Sequence, residues 1–213
     1  MSSTKPLLQL RQFLSLRGGE PVFAPLDLDL YAGEAIWLTG PNGAGKTSLL
    51  RSLLGLADSE YDRFEFDGQS LPAGWPWLRK HTAWVGHEPA LKAEFTLAEN
   101  LQFDLGLRGE QAVCSIDAAL QKVGLPGFGE LRAGTLSAGQ RRRAALARLA
   151  LRPARLWLLD EPLANLDTES ATLLAGWMAE FVAAGGALML TGHGQLPAVL
   201  PVRRCALELP TWN

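Results

Sequence analysis

Gly40-Pro41-Asn42-Gly43-Ala44-Gly45-Lys46-Thr47 constrains this chain more than any other stretch. It matches GxxxxGK[ST], follows the apolar run AIWL and opens the leucine-rich segment KTSLLRSLLGL. A buried strand that turns through glycines into a helix is the setting of a phosphate cradle. The glycines let the backbone curl until several N–H groups face one anion, and the helix N-terminus adds its dipole. Lys46 is then expected at the β- and γ-phosphates, and Thr47 offers its hydroxyl to Mg²⁺. Residues Gly40 to Thr47, with Ser48 after them, are the expected nucleotide contacts.

A second stretch, RLWLLDEP (155–162), complements the first. Its apolar run ends in two carboxylates, which places Asp160 and Glu161 at the C-terminal tip of a buried strand. Ligands of open α/β sheets bind at such tips. Asp160 is expected in the Mg²⁺ shell, and Glu161 beside the water that attacks a phosphate. Together the two stretches read as a nucleoside triphosphatase that works with Mg²⁺.

The rest of the pattern fixes the fold class. LLQLRQFLSL and RGGEPVF read as strands around a Gly-Gly turn, LDLDL alternates, and FEFDGQ enters an Asp-Gly turn. From Thr96 to about Leu151 the texture is helical, and strands resume at RLWLL and ALMLTGH with a helix over 168–184 between them. Strands interrupted by a helical block predict an α/β core with a mostly parallel sheet, an antiparallel β subdomain and an inserted helical subdomain. The expected division is a single domain over 1–213, with 1–87 and 153–213 forming the core and 88–152 the helical part.

Composition narrows the function. A hydrophobic fraction of 47% suffices for a core, and a net charge of −2 gives no general reason to seek nucleic acid. Cys114 and Cys205 lack metal or disulfide spacing. The start MSSTKPLLQLRQF has no apolar signal region, and FVAAGGALML is about half the length that crosses a bilayer. The expectation is a soluble chain that reaches a membrane only through a partner.

Leu136-Ser137-Ala138-Gly139-Gln140 precedes the basic helix RRRAALARLAL. Here the chain resembles the ATP-binding cassette (ABC) ATPases, whose signature is LSGGQ before such a helix. The resemblance spans nearly the whole sequence, with phosphate loop, signature, LLDEP, Ala164-Asn165-Leu166-Asp167 and His193 in the family's order. It implies a P-loop fold in which two copies sandwich two ATP molecules head to tail. Ser137, Ala138, Gly139 and Gln140 of one copy then face the γ-phosphate of the other, Asp167 lies at the interface, and His193 contacts the γ-phosphate and the attacking water. Arg17 stands where many relatives carry an aromatic residue under the adenine; a guanidinium can also stack on a base.

WVGHEPAL puts His87 where the family has a glutamine that touches Mg²⁺ or the attacking water, with Glu88 next to it. Either His87 or, through a one-residue shift, Glu88 takes that place. The GH pair, the TLAENLQF run, the ALARL helix and the Arg-Arg tail resemble one subfamily, the haem exporter ATPases of cytochrome c maturation. That kinship implies a place on the cytoplasmic face of the bacterial inner membrane, held by integral-membrane exporter subunits. The chain has no CxxCH and few haem ligands, so any haem is expected on the partners. The rivals are a cassette with another cargo, a scaffold without turnover, and an ABC ATPase of nucleic acid or ribosomes with Arg141, Arg142 and Arg143 as its footprint. Such charge runs more often form solvated faces or intramolecular pairs.

Overall fold

The structure, a computed structural model, describes residues 5–109 and 111–210. Its strands are β1 (Leu8–Arg17), β2 (Glu20–Pro21), β3 (Leu26–Leu30), β4 (Ala35–Thr39), β5 (Ser59–Glu60), β6 (Arg63–Phe66), β7 (Gln69–Ser70), β8 (Thr82–Val85), β9 (Leu156–Leu159), β10 (Ala187–Thr191) and β11 (Arg203–Ala206). Its helices are α1 (Lys46–Ser52), α2 (Trp75–His81), α3 (Leu97–Arg108), α4 (Ile116–Lys122), α5 (Ala138–Ala147) and α6 (Thr168–Ala183).

One sheet is parallel throughout, in the order β11-β4-β10-β9-β8. Strands β4, β8, β9 and β10 are apolar at nearly every position because both their faces are covered, whereas the edge strand β11 carries the exposed Arg203 and Arg204. Side-chain alternation along these four strands then feeds two separate cores. Ala35, Trp37, Val85, Trp157, Leu159, Leu188 and Leu190 pack with the helices α3 to α6. Ile36, Leu38, Leu156, Leu158, Ala187 and Met189 pack on the opposite face, with α1 and the second sheet.

That second sheet is antiparallel and built around the long β1, which pairs with β2, β3, β5 and β6, while β7 joins β6. A bulge between Leu10 and Phe13 puts Gln12 at φ 48°, and its N–H donates to Asp27 Oδ1 at 2.7 Å. Beside it Arg11 donates to both carboxylate oxygens of Asp29 at 2.9 Å. That hydrogen bond holds the Asp29 carboxyl below the usual carboxylate range, against the opposing effect of burial.

The parallel core, antiparallel sheet and helical insertion expected from the sequence are all present. Helices α3, α4 and α5 occupy the chain between β8 and β9. Two local details differ. The segment WPWLRKH forms α2, and α1 ends at Ser52 rather than near Leu56. The early stop follows from Gly55, whose φ of 67° reverses the chain and returns the Leu56 N–H to the Arg51 carbonyl at 2.9 Å.

Leu188 is fully buried in β10, at the middle of the parallel sheet. Leu188→Ala should cost about 2–5 kcal/mol in denaturant unfolding, with little change in m. For Asp29 the depressed folded value means stability that is present above the unfolded carboxylate value of about 3.9 and is lost as pH falls through the folded value. Arg11→Met should therefore flatten the acid limb of the stability–pH curve, read by thermal melts below about pH 4.

Candidate active site

The phosphate loop joins β4 to α1 and is shaped by positive φ angles at Gly40, Gly43 and Gly45. Gly45 is needed twice over: its φ is 89°, and a Cβ there would lie 2.7 Å from Val22 Cγ1 and 2.8 Å from Phe23 Cδ1. Ala44 is buried behind the loop, and its N–H donates to the Pro41 carbonyl. Lys46 is 8% exposed, and its Nζ donates to the carbonyls of Gly40 at 2.8 Å and Pro41 at 3.0 Å. A cavity of about 320 Å³ opens over the loop, walled by Arg17, Asn42, Gly43, residues 45–48, Glu161 and His193.

At the far wall the C-terminal ends of β9 and β10 lie side by side, because Leu159 and Leu190 are paired. Asp160, 1% exposed, continues β9. Thr47 Oγ1 donates to its carboxylate, at 2.9 and 3.1 Å from the two oxygens, and Thr191 Oγ1 donates to Oδ1 at 2.6 Å. The Thr191 hydroxyl also accepts the Glu161 N–H at 2.8 Å. Glu161 sits at φ 51°, a left-handed conformation that costs a non-glycine residue about 1–3 kcal/mol. His87 Nδ1 lies 3.3 Å from Glu161 Oε2, and His193 Nε2 lies 3.3 Å from Oε1.

These donors suit a hard cation. Thr47 and Asp160 supply oxygens only, and Mg²⁺ takes one or two carboxylates together with substrate phosphates rather than a full protein cage. The described residues hold no group of three or more His, Cys, Asp and Glu side chains arranged for a metal ion. His87, expected with Glu88 as the alternative at the metal or attacking water, lies against the Glu161 carboxylate, and Glu88 lines the neighbouring cavity with Ala138.

The signature residues lie elsewhere. Ser137 caps α5 in a reciprocal box: its Oγ accepts the Gln140 N–H at 3.2 Å, and Gln140 Oε1 accepts the Ser137 N–H at 2.9 Å. Ala138 occupies the first turn of α5 without a positive φ, so the alanine in place of the signature's first glycine carries no backbone penalty. Gly139 is tighter, since a Cβ there would lie 2.9 Å from the Asn165 carbonyl oxygen. Asp167 is exposed and caps α6, accepting the Ser170 N–H at 2.7 Å and the Ser170 hydroxyl at 3.1 Å. Those bonds hold its carboxyl below the usual range. Ala138 lines a separate cavity of about 200 Å³ with His87, Pro89, Arg142 and Asn165. The chain thus keeps its signature apart from its own phosphate loop.

The three arginines after the signature turn inward. Arg141 donates to the Leu136 carbonyl at 2.6 Å, and Arg143 to the Gly124 carbonyl at 2.7 Å. Arg142 is 4% exposed and donates to the carbonyls of Gly86, His87, Asp160 and Pro162. Burial lowers its pKa from the usual guanidinium value, while Asp160 and Glu161 hold it up. Sequence reasoning treated the run as one unit and passed over Thr191; the only available signal for the latter was a hydroxyl ending an apolar strand two residues before His193.

The ABC transporter family profile matches residues 23–164. Over 209 residues the chain is 46% identical to the cytochrome c biogenesis ATP-binding export protein CcmA of Xanthomonas campestris pv. campestris strain 8004, covering 98% of this chain and 96% of that one. The protein of the same name from Escherichia coli O157:H7 is 40% identical over 202 residues, covering 94% and 96%. The chain belongs to the ABC transporter ATPases, in the CcmA family. Solved cassettes share its fold. An ABC transporter ATP-binding protein assigned in Pyrococcus furiosus superposes with a TM-score of 0.78 at 22% identity, covering 94% of this chain and 96% of that one. A bacterial ABC transporter cassette solved as a dimer gives 0.75 at 21%, covering 88% of each.

Because the Thr191 hydroxyl fixes both Asp160 and the Glu161 N–H, Thr191→Val should lower Mg²⁺-dependent ATP turnover by about tenfold or more. Steady-state rates across a Mg²⁺ titration would show it; an unchanged rate would mean that Asp160 holds its place without that bond.

Proposed function

We propose that this chain is the ATP-hydrolysing subunit of an export complex of cytochrome c maturation, acting as a head-to-tail pair on integral-membrane subunits that handle haem. The observation that carries the reading is the gathering of Thr47, Glu161 and His193 around the phosphate-loop cavity, with the buried Asp160 bonded to Thr47 behind it. The kinship to proteins named for cytochrome c biogenesis and export supplies the biological setting. In this reading 1–213 is one nucleotide-binding domain, with residues 88–152 as the lobe that carries the signature.

ATP lies along residues 40–48, with Arg17 against the base, and Lys46 exchanges its carbonyl partners for phosphate oxygens. Thr47 and Asp160 hold Mg²⁺, which when bound offsets the charge of the phosphates. Glu161 accepts the proton of the water that attacks the γ-phosphate, and His193 orients that carboxylate. Ser137, with the backbone at Ala138 and Gly139, faces the γ-phosphate bound by a second copy, at a helix N-terminus suited to an anion. Asp167 and Gln140 stand at the same junction.

The work site is the cytoplasmic face of the bacterial inner membrane, reached through the partners. No described helix is long and apolar enough to cross a membrane. With three histidines and two separated cysteines, the chain leaves haem ligation to those partners.

Glu161→Gln should keep ATP binding, accumulate as an ATP-bound dimer in size-exclusion chromatography, and lose turnover by about a hundredfold or more. Unchanged turnover would remove Glu161 as the base. Co-purification from the native host tests the cargo: the expected result is a complex with membrane subunits carrying haem, and a complex carrying a different cargo would overturn the export reading.

A further inference from the structure

Beneath the contact between His87 and Glu161, two stretches of main chain are tied together by one guanidinium. Arg142 donates to the carbonyls of Gly86 at 2.6 Å and His87 at 3.0 Å on one side. On the other it donates to the carbonyl of Asp160 and, at 3.4 Å, to that of Pro162. The second pair of carbonyls flanks Glu161, and the first pair includes His87 itself. The two residues whose side chains meet are therefore held by the same cation at backbone level.

The chemistry demands arginine. A guanidinium presents five N–H groups in a planar fork, so it can serve acceptors on two sides at once; a lysine ammonium is a compact point charge and cannot span them. The His87 side chain is 65% exposed and that of Glu161 24%, so their contact adds little to stability. What it fixes is direction. Glu161 already has a left-handed backbone and an N–H anchored on Thr191, which leaves its side-chain torsions to be set by the imidazoles at its two oxygens.

We propose that Arg142 is a positioning residue for ATP hydrolysis: by gripping the His87 loop and the Glu161 turn together, it holds His87 against the carboxylate opposite His193. Glu161 is then aimed from both sides. Arg142 lies on the helix whose first turn is Ala138, Gly139 and Gln140, so a displacement of α5 reaches the carboxylate through the main chain. The proposal rests on the reading of Glu161 as the base.

The test is a double-mutant cycle on the purified full chain, with kcat and KM for MgATP measured for Arg142→Lys, His87→Ala and the double variant. His87→Gln and Glu161→Gln accompany them, with circular dichroism melts to establish folding. Each single variant is expected to lower kcat by about tenfold with KM nearly unchanged, since misaiming a reacting group by a fraction of an ångström has that order of effect. The double variant should be no slower than the slower single one, because Arg142 acts through His87. His87→Gln should recover most of the rate, since its amide N–H can face the same oxygen. Multiplying effects in the double variant, an unaltered kcat in His87→Ala, or a loss confined to KM would overturn the proposal. Should Arg142→Lys not fold, Arg142→Gln takes its place in the cycle. Full turnover in Glu161→Gln would instead overturn the base assignment, so the two failures are distinguishable.

Discussion

The carboxylate of Asp160 is the point on which the geometry of the site depends. It is almost wholly buried, and an ionised carboxylate in that position is tolerable only with strong partners. Two hydroxyls supply them, Thr47 from the start of α1 and Thr191 from the end of β10. The three residues come from separate parts of the chain and meet only because β4, β10 and β9 are adjacent and parallel. With their C-terminal ends aligned, the phosphate loop leaves one strand, the carboxylates another, and the hydroxyl and His193 the third.

The sheet is also a partition. Strands β4, β8, β9 and β10 contribute alternate residues to two cores that do not mix, one shared with the helices and one with the antiparallel sheet. The helical side carries α5 and therefore the signature; the other side carries β2 and the residues that press against Gly45. The nucleotide site sits on the edge common to both, so either half can influence it while keeping its own packing.

Legibility in the sequence followed locality. The phosphate loop was readable because its glycines, strand and helix are consecutive, and the apolar strand ending at Asp160 and Glu161 because burial leaves its mark residue by residue. The helix α2 was not, since WPWLRKH is too short to show a period and its proline is tolerated only at the first turn. Arg142 was hidden for another reason. Three identical side chains in a row carry no internal distinction, and which one is buried is decided by rotation about the helix axis, about 100° per residue, against a surface far away in sequence. The partner of His87 likewise belongs to the fold: its contact is with Glu161, on a strand end far along the chain.

The arginines that order this region share a property with evolutionary consequences. Arg141, Arg142 and Arg143 donate to main-chain carbonyls, at Leu136, at Gly86, His87, Asp160 and Pro162, and at Gly124. A carbonyl is contributed by any residue, so replacing the side chain at an acceptor position leaves the acceptor in place. Such bonds constrain the path of the backbone and one donor, with no compensating change required at the other end. Statistical searches for correlated substitutions would pass over these arginines, including Arg142, whose four acceptors lie in the His87 and Glu161 segments.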